Sequence, residues 1–254
     1  MESKNKSNQY LNTDDPEPSL HGIVRIYSTR FCPYCERVLI AAHKKNIPFD
    51  VLYTNPHKRP KWFFLKNPEG IVPALEHNGR LINDSRVIIE YLDEAFPERN
   101  ILSNEPYVRA KQRYYTTKLE PICETIKQMS YLTKLVDNTT ILATKLAAAE
   151  NLLQSPFYSG EVPSLPDIML FPFIHRLHVI RKFGRNNFLD NYFPNNYPKL
   201  VKWFITMRNT PEIQAVQESE KYLKDFLSGI NSKTNQNATN FNAEIKSDSN
   251  PLHH

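Results

Sequence analysis

Ile23-Val24-Arg25-Ile26-Tyr27-Ser28-Thr29-Arg30-Phe31-Cys32-Pro33-Tyr34-Cys35, residues 23–35, runs from an apolar stretch straight into a Cys-Pro-x-Cys turn. Ile23 to Tyr27 reads as a short buried strand, and Cys32 to Asn46 as a helix. Pro33 falls in the first turn of that helix, where a missing N–H costs nothing. Val38, Leu39, Ala41 and Ala42 give it an apolar face. Pro48 to Tyr53 reads as a second strand, so the unit is βαβ with a parallel, right-handed crossover. Two apolar runs follow, Ile71 to Glu76 and Arg80 to Ile82, split by Asn78-Gly79. Asn-Gly between apolar runs is a hairpin signal. Ser85 opens another helix, with Val87, Ile88, Tyr91 and Leu92 on one side.

The order βαβ then ββα is a thioredoxin-like pattern, a small mixed sheet with helices on its faces. It is assigned to residues 21–97, after a polar, Pro-containing leader at 1–20 that should be extended or mobile. Residues 98–106 read as a linker. Beyond it strand signals nearly vanish, and 107–130, 139–154, 166–182, 198–209 and 212–228 read as helices separated by Pro, Gly and Ser breakers. The fold class is therefore α/β plus all-α: an N-terminal thioredoxin-like domain and a C-terminal helical-bundle domain at 107–230. Ser164-Leu165-Pro166-Asp167 is a capping box with Asp in place of Glu. The aromatic stripe Phe171, Phe173 and Phe183 reads as core. Residues 231–254, rich in Asn, Ser, Thr and Lys without apolar periodicity, read as a disordered tail.

Composition narrows the function classes. The chain has 254 residues, 40% of them hydrophobic, enough for a large core. Its net charge of +5 comes from 32 basic and 27 acidic residues mixed along the sequence. That is an ordinary solvated surface, not the concentrated basic face of a nucleic-acid binder. The first residues carry no secretory core and no apolar run is long enough to span a bilayer. The Asn-x-Ser/Thr triplets at Asn83, Asn138 and Asn237 are then coincidental. Three cysteines, Cys32, Cys35 and Cys123, make no disulfide framework and suit a reducing, cytoplasmic setting.

A Cys-x-x-Cys between a strand and a helix is the context a redox thiol requires. Cys32 would sit at the helix N-terminus, where unpaired N–H groups and the dipole favour thiolate. Arg30 and Arg37 would add positive charge. Cys35, one turn further in, is a candidate resolving thiol; its plainer reading is a small core residue. Cys123 reads as packing. A zinc site would need two more ligands at suitable spacing, and none stands out, so no metal is expected.

Further residues speak to the ligand. Val72 before Pro73, if its peptide faces the active cysteine, offers a backbone N–H and C=O to a peptide-like ligand. Asp84-Ser85, where strand meets helix, offers an anion for an ammonium and a hydroxyl with N–H groups for a carboxylate. Arg59 can hold a second carboxylate. An amino-acid head, a central thiol and a terminal carboxylate describe glutathione. Each residue has a plainer reading, as helix cap, solvated cation or strand; it is their agreement on one ligand that counts.

At Arg25–Pro33, Trp62-Phe63-Phe64-Leu65-Lys66-Asn67-Pro68 and Glu90-Tyr91-Leu92-Asp93-Glu94-Ala95-Phe96-Pro97, the sequence resembles the glutathione transferase superfamily, its omega class in particular. The likeness runs from about Gly22 to about Leu227 and includes the Pro-containing leader and the Ser164 box. It implies Cys32 as the nucleophile and glutathione contacts at Phe31, Pro33, Arg59, Val72, Pro73, Asp84 and Ser85. It implies Arg176 and Phe226 in a second-substrate pocket, glutathione as co-substrate, and a cytoplasmic homodimer. Implied activities are thiol transfer, dehydroascorbate reduction and reduction of some arsenicals. Three positions depart from the class: Arg59 stands for its usual Lys, Asp84 for Glu, and Cys35 for Ala, so that Cys-Pro-Tyr-Cys matches dithiol glutaredoxins. Two rival expectations are a membrane-associating protein like the intracellular chloride channels, and a glutathione-binding carrier with little turnover. Glu36, Arg37, Lys44 and Lys45 near the motif weigh against stable insertion.

Overall fold

The structure, a computed structural model, describes residues 10–131, 139–183 and 188–218. Strands β1 (Val24–Ser28), β2 (Phe49–Tyr53), β3 (Ala74–His77) and β4 (Arg80–Asn83) form one sheet in the order β2-β1-β3-β4. β1 and β2 are parallel; β3 runs antiparallel to both β1 and β4. The parallel pair follows from the crossover helix α1 (Pro33–Lys45), and the antiparallel pair from the Asn78-Gly79 turn. Both turn residues have positive φ, 52° and 72°, which is what a two-residue hairpin needs. The thioredoxin-like half read from the sequence is thus present, and the second half is mostly helical.

Alternation along β1 sorts the layers. Val24 and Ile26 pack with Val38 and Ala42 of α1 and with Ile88 and Leu92 of α3 (Ser85–Ala95). Tyr27 points the other way, onto Phe63 of the short α2 (Lys61–Lys66) and Leu52. The sequence reading did not include α2; its N-cap is Pro60, with no side-chain cap to announce it.

Gly70 closes the loop after α2. Its φ is +63°, and a Cβ there would stand 2.5 Å from Phe64 Cε1. Gly70→Ala is expected to cost about 1–2 kcal/mol, the left-handed penalty for an L-residue, seen as a lower urea midpoint. An unchanged midpoint would mean that the loop relaxes freely.

Residues 10–20, with a turn at Thr13-Asp14, are anchored. Leu11 pairs in parallel with Thr54 beyond the end of β2. Glu17 joins Arg25 at 2.8 Å and Lys66 at 2.6 Å, and Trp62 Nε1 donates to the Asp15 carbonyl at 2.8 Å.

The helical half comprises α4 (Pro106–Tyr131), α5 (Thr139–Leu152), α6 (Leu165–Phe183), a π-helical turn (Phe188–Tyr192), α7 (Phe193–Asn196), α8 (Pro198–Arg208) and α9 (Pro211–Val216). The helix expected over 212–228 ends at Val216, since Gln217 and Glu218 are not helical; residues from 219 on, with the tail at 231–254, lie outside the described residues. Phe171 and Phe173 are fully interior, as expected, together with Trp203, Leu165 and Leu200. Ile40 and Ala41 of α1 and Ile89 of α3 belong to this same cluster. The described residues up to Val216 belong to one compact unit, so α1 has its sheet on one side and the helical bundle on the other.

Candidate active site

Cys32 is the N-cap of α1, and Pro33 is its first helical residue. Of the three free cysteines Cys32 alone is partly exposed; Cys35 and Cys123 are buried. The Cys32 thiol is lowered to about 7 from an ordinary 9.0. Its largest cause is a hydrogen bond from the Cys35 thiol; the N–H groups of Cys35 and Tyr34 and the charge of Arg176 add to it, against burial. Cys35 moves the opposite way, raised by burial and then by its neighbour Cys32. One sulfur becomes the anion and the other its proton-bearing partner. Cys123, in α4, is pushed up to about 12 by burial.

The cations sit differently from the sequence expectation. Arg30 stacks over the Tyr53 ring at 4.7 Å. Arg37 is buried and reaches across to the helical half: Nε donates to the Met169 carbonyl at 2.9 Å and Nη2 meets Glu120 at 3.2 Å. Its guanidinium lies against both the Tyr34 and Phe173 rings, at 4.9 and 4.8 Å. Arg176 of α6, which sequence reading had put with the second substrate, is a cation whose charge acts on Cys32. Phe226, its expected companion, lies outside the described residues.

Arg59 enters from the loop before α2. The charges of Cys32 and Cys35 both act on it, while burial lowers its pKa. Its Nε is buried with no hydrogen-bond partner. Val72 precedes β3, and its peptide bond to Pro73 is cis. The Val72 N–H and C=O enter none of the backbone hydrogen bonds among the described residues. Asn67, fully buried, holds this loop through Nδ2 to the Ile71 carbonyl at 2.8 Å.

Asp84 caps α3 at φ 70°: Oδ1 accepts from the N–H of Arg86 at 2.8 Å and of Val87 at 3.1 Å. The cap leaves Oδ2 with no hydrogen-bond partner among the described residues. Ser85 is buried, and its hydroxyl accepts from Arg37 Nη1 at 3.3 Å. Arg37 thus links the α3 N-terminus to the helical half. Among the described residues no three His, Cys, Asp or Glu side chains converge as metal ligands.

Known proteins agree with this architecture. The family model for the glutathione S-transferase N-terminal domain matches residues 26–100, and the one for the C-terminal domain matches 137–205. Glutathione transferase omega-1 of Caenorhabditis elegans is 34% identical over 224 residues, covering 84% of this chain and 88% of its own. Glutathione S-transferase omega-1 of Sus scrofa is 30% identical over 218 residues, 83% and 87% of the two chains. Among solved structures, glutathione transferase Omega 1C of Trametes versicolor superposes with a TM-score of 0.73 at 20% identity, over 82% of this chain and 96% of that one. A rice transferase solved in complex with glutathione gives 0.72 at 20% identity, over 84% and 97%. With a thioredoxin-like half, a helical half and relatives of this closeness along most of its length, the chain belongs to the glutathione transferase family, as an enzyme of the omega class.

Proposed function

We propose that this chain is a glutathione-dependent thiol transferase that removes glutathione from mixed disulfides and reduces dehydroascorbate, with Cys32 as nucleophile. The observation that carries the reading is Cys32 itself: a partly exposed thiol at a helix N-terminus, brought to about 7, with a protonated thiol hydrogen-bonded to it. The Cys32 thiolate attacks the glutathione sulfur of a mixed disulfide. The old S–S bond breaks, and the substrate leaves as a thiolate that takes a proton from water. Cys32 then carries glutathione by a new S–S bond. A second glutathione thiolate attacks that same glutathione sulfur, releasing glutathione disulfide and restoring the Cys32 thiolate.

Glutathione binding is read from the same half. The unpaired Val72 backbone suits the cysteinyl peptide, the open Asp84 Oδ2 suits the γ-glutamyl ammonium, and Arg59 suits a carboxylate. Phe31, Pro33, Pro73 and Ser85 complete the set. A cytoplasmic homodimer belongs to this reading; Val87 on α3 and Tyr107 and Tyr114 on α4 leave large apolar side chains exposed for a second copy to cover. The membrane alternative fares worse. No helix among the described residues is long and apolar enough to cross a bilayer. The charges of α1 are moreover committed: Glu36 to Arg176, Arg37 to Glu120, Lys44 to Glu212 and Lys45 to Asp93.

Mixing reduced protein with a disulfide of glutathione and 2-mercaptoethanol at pH 7, then mapping peptides by mass, tests the intermediate. One glutathionyl group on the Cys32 peptide is expected; a Cys32 peptide that stays unmodified while substrate is consumed would overturn the reading. The hydrogen bond between the two thiols favours one variant of it, in which Cys35 resolves the intermediate. That variant predicts a Cys32–Cys35 disulfide in the same map.

A further inference from the structure

The guanidinium of Arg176 brackets Cys32 in the chain. Nη2 donates to the carbonyl of Phe31, the residue before Cys32, at 2.8 Å. Nη1 pairs with Glu36, one turn after Cys32, and donates to the Pro172 carbonyl at 2.9 Å. Glu36 is held from its other side by His175 Nδ1 at 3.5 Å. The Arg176 and Glu36 side chains are only 18% and 14% exposed, so water and salt screen this charge weakly. Such a cation in a shielded place needs an anion, and Glu36 supplies it; Arg176 and His175 draw the Glu36 carboxyl down to about 2 in spite of burial.

We propose that Arg176 is the fixed counter-ion of the Cys32 thiolate, positioned by Glu36 and the Phe31 carbonyl, rather than a contact for the second substrate. Arg176 belongs to the helical half and Cys32 to the thioredoxin-like half. The thiol is therefore fully reactive only when the two are packed together. The inference rests on Cys32 being the nucleophile. The charge of Arg176 favours the Cys32 anion, in keeping with this placement. Cys35 and Tyr34 on α1 and Arg59 from the loop before α2 also act on the thiol, while Glu36 of α1 and His175 of α6 pair beside Arg176.

The test is the pH profile of Cys32 alkylation by iodoacetamide, followed by peptide mass mapping. Sulfur displaces iodide, and only the thiolate reacts at an appreciable rate. In the wild type the midpoint is expected at about 7. Arg176→Met should raise it by about one pH unit, the lower end of what a close opposite charge does. Arg176→Lys should restore most of the shift. Arg176→Gln, which keeps a donor for the Phe31 carbonyl, carries the same test should the Met variant fail to fold. Met and Gln variants with an unmoved midpoint would overturn the proposal. So would a Lys variant displaced as far as the Met variant, since the effect would then be one of shape and not charge. Failure of the nucleophile reading would show differently, as thiol transfer that survives Cys32→Ser whatever the midpoints do.

Discussion

Cys32→Ser is expected to reduce thiol-transferase turnover by at least about a thousandfold, a conservative share of what removal of a covalent nucleophile costs elsewhere. Two facts make so large a loss follow. A thiol at about 7 is roughly half ionised at pH 7, against about 1% for one at its ordinary 9.0. A serine hydroxyl at the same place has essentially no anion and forms no disulfide. Secondly, no other thiol can take over. Cys35 is buried and its pKa is raised by that burial and by Cys32; Cys123 is buried in α4 and pushed up to about 12. The assay is glutathione-dependent reduction of a small mixed disulfide, with folding of the variant checked by circular dichroism. A folded variant that keeps a tenth of wild-type turnover would remove Cys32 from the mechanism. The rate of the wild type should also rise with pH through about 7, because the anion is the reactive form.

The parts of this molecule legible in its sequence are those set by local chemistry. Asn78-Gly79 specifies a tight turn, Pro33 a helix start, and Ser164 to Asp167 a helix cap, because each acts within a few residues of itself. The apolar run Ile23 to Tyr27 read as a buried strand but did not say which helix covers which face. Arg37 and Arg176 show where such reading ends. Arg37, two residues past the motif, looked like charge for the thiol and instead links α1 to α3, α4 and α6. Arg176 supplies charge there from 144 positions away in sequence, paired with Glu36 of α1. Long polar side chains that cross a domain boundary leave no periodic trace. A charge falling on the inward side of an otherwise apolar helix is the one available signal, and Glu36 and Arg37 both carried it.

α1 illustrates why such residues are kept in a core. Its apolar side chains face two ways, Val38 and Ala42 to the sheet and Ile40 and Ala41 to the bundle. Apolar packing alone would leave its rotation loosely set. Four ion pairs on the same helix, to α3, α4, α6 and α9, fix that rotation and with it the direction of the Cys32 sulfur. Buried pairs of this kind add little net stability but penalise wrong arrangements heavily.

The largest effect on stability is expected at Asp167, far from any chemistry. Its carboxylate is completely buried and accepts four hydrogen bonds. Oδ2 takes the Ser164 N–H at 3.0 Å and the Ser164 hydroxyl at 3.1 Å; Oδ1 takes the Tyr158 N–H at 3.0 Å and Trp203 Nε1 at 2.9 Å. The first pair is the capping box anticipated from Ser164-x-x-Asp167, which starts α6. The second pair goes beyond a cap, since it pins the turn before α6 and the largest side chain of α8 to the same two oxygens. Burial raises the pKa of this carboxyl, so its ionised form carries a desolvation cost that a neutral residue escapes. Asp167→Ala nevertheless strands three buried N–H donors, and each costs about 1–3 kcal/mol when left unpaired. Only the Ser164 hydroxyl can turn elsewhere. Net of the relieved desolvation, a loss of about 3–5 kcal/mol is expected, the usual penalty for breaking a buried polar pair from one side. For a domain of this size that lowers the melting temperature by about 6–20 °C. Asp167→Asn should lose less, because one oxygen survives, but its amide NH2 must face two donors. Calorimetric melting of both variants decides the matter: an Ala variant within about 2 °C of wild type would mean that water or a neighbouring carbonyl satisfies the stranded donors, and that α6 does not depend on its cap.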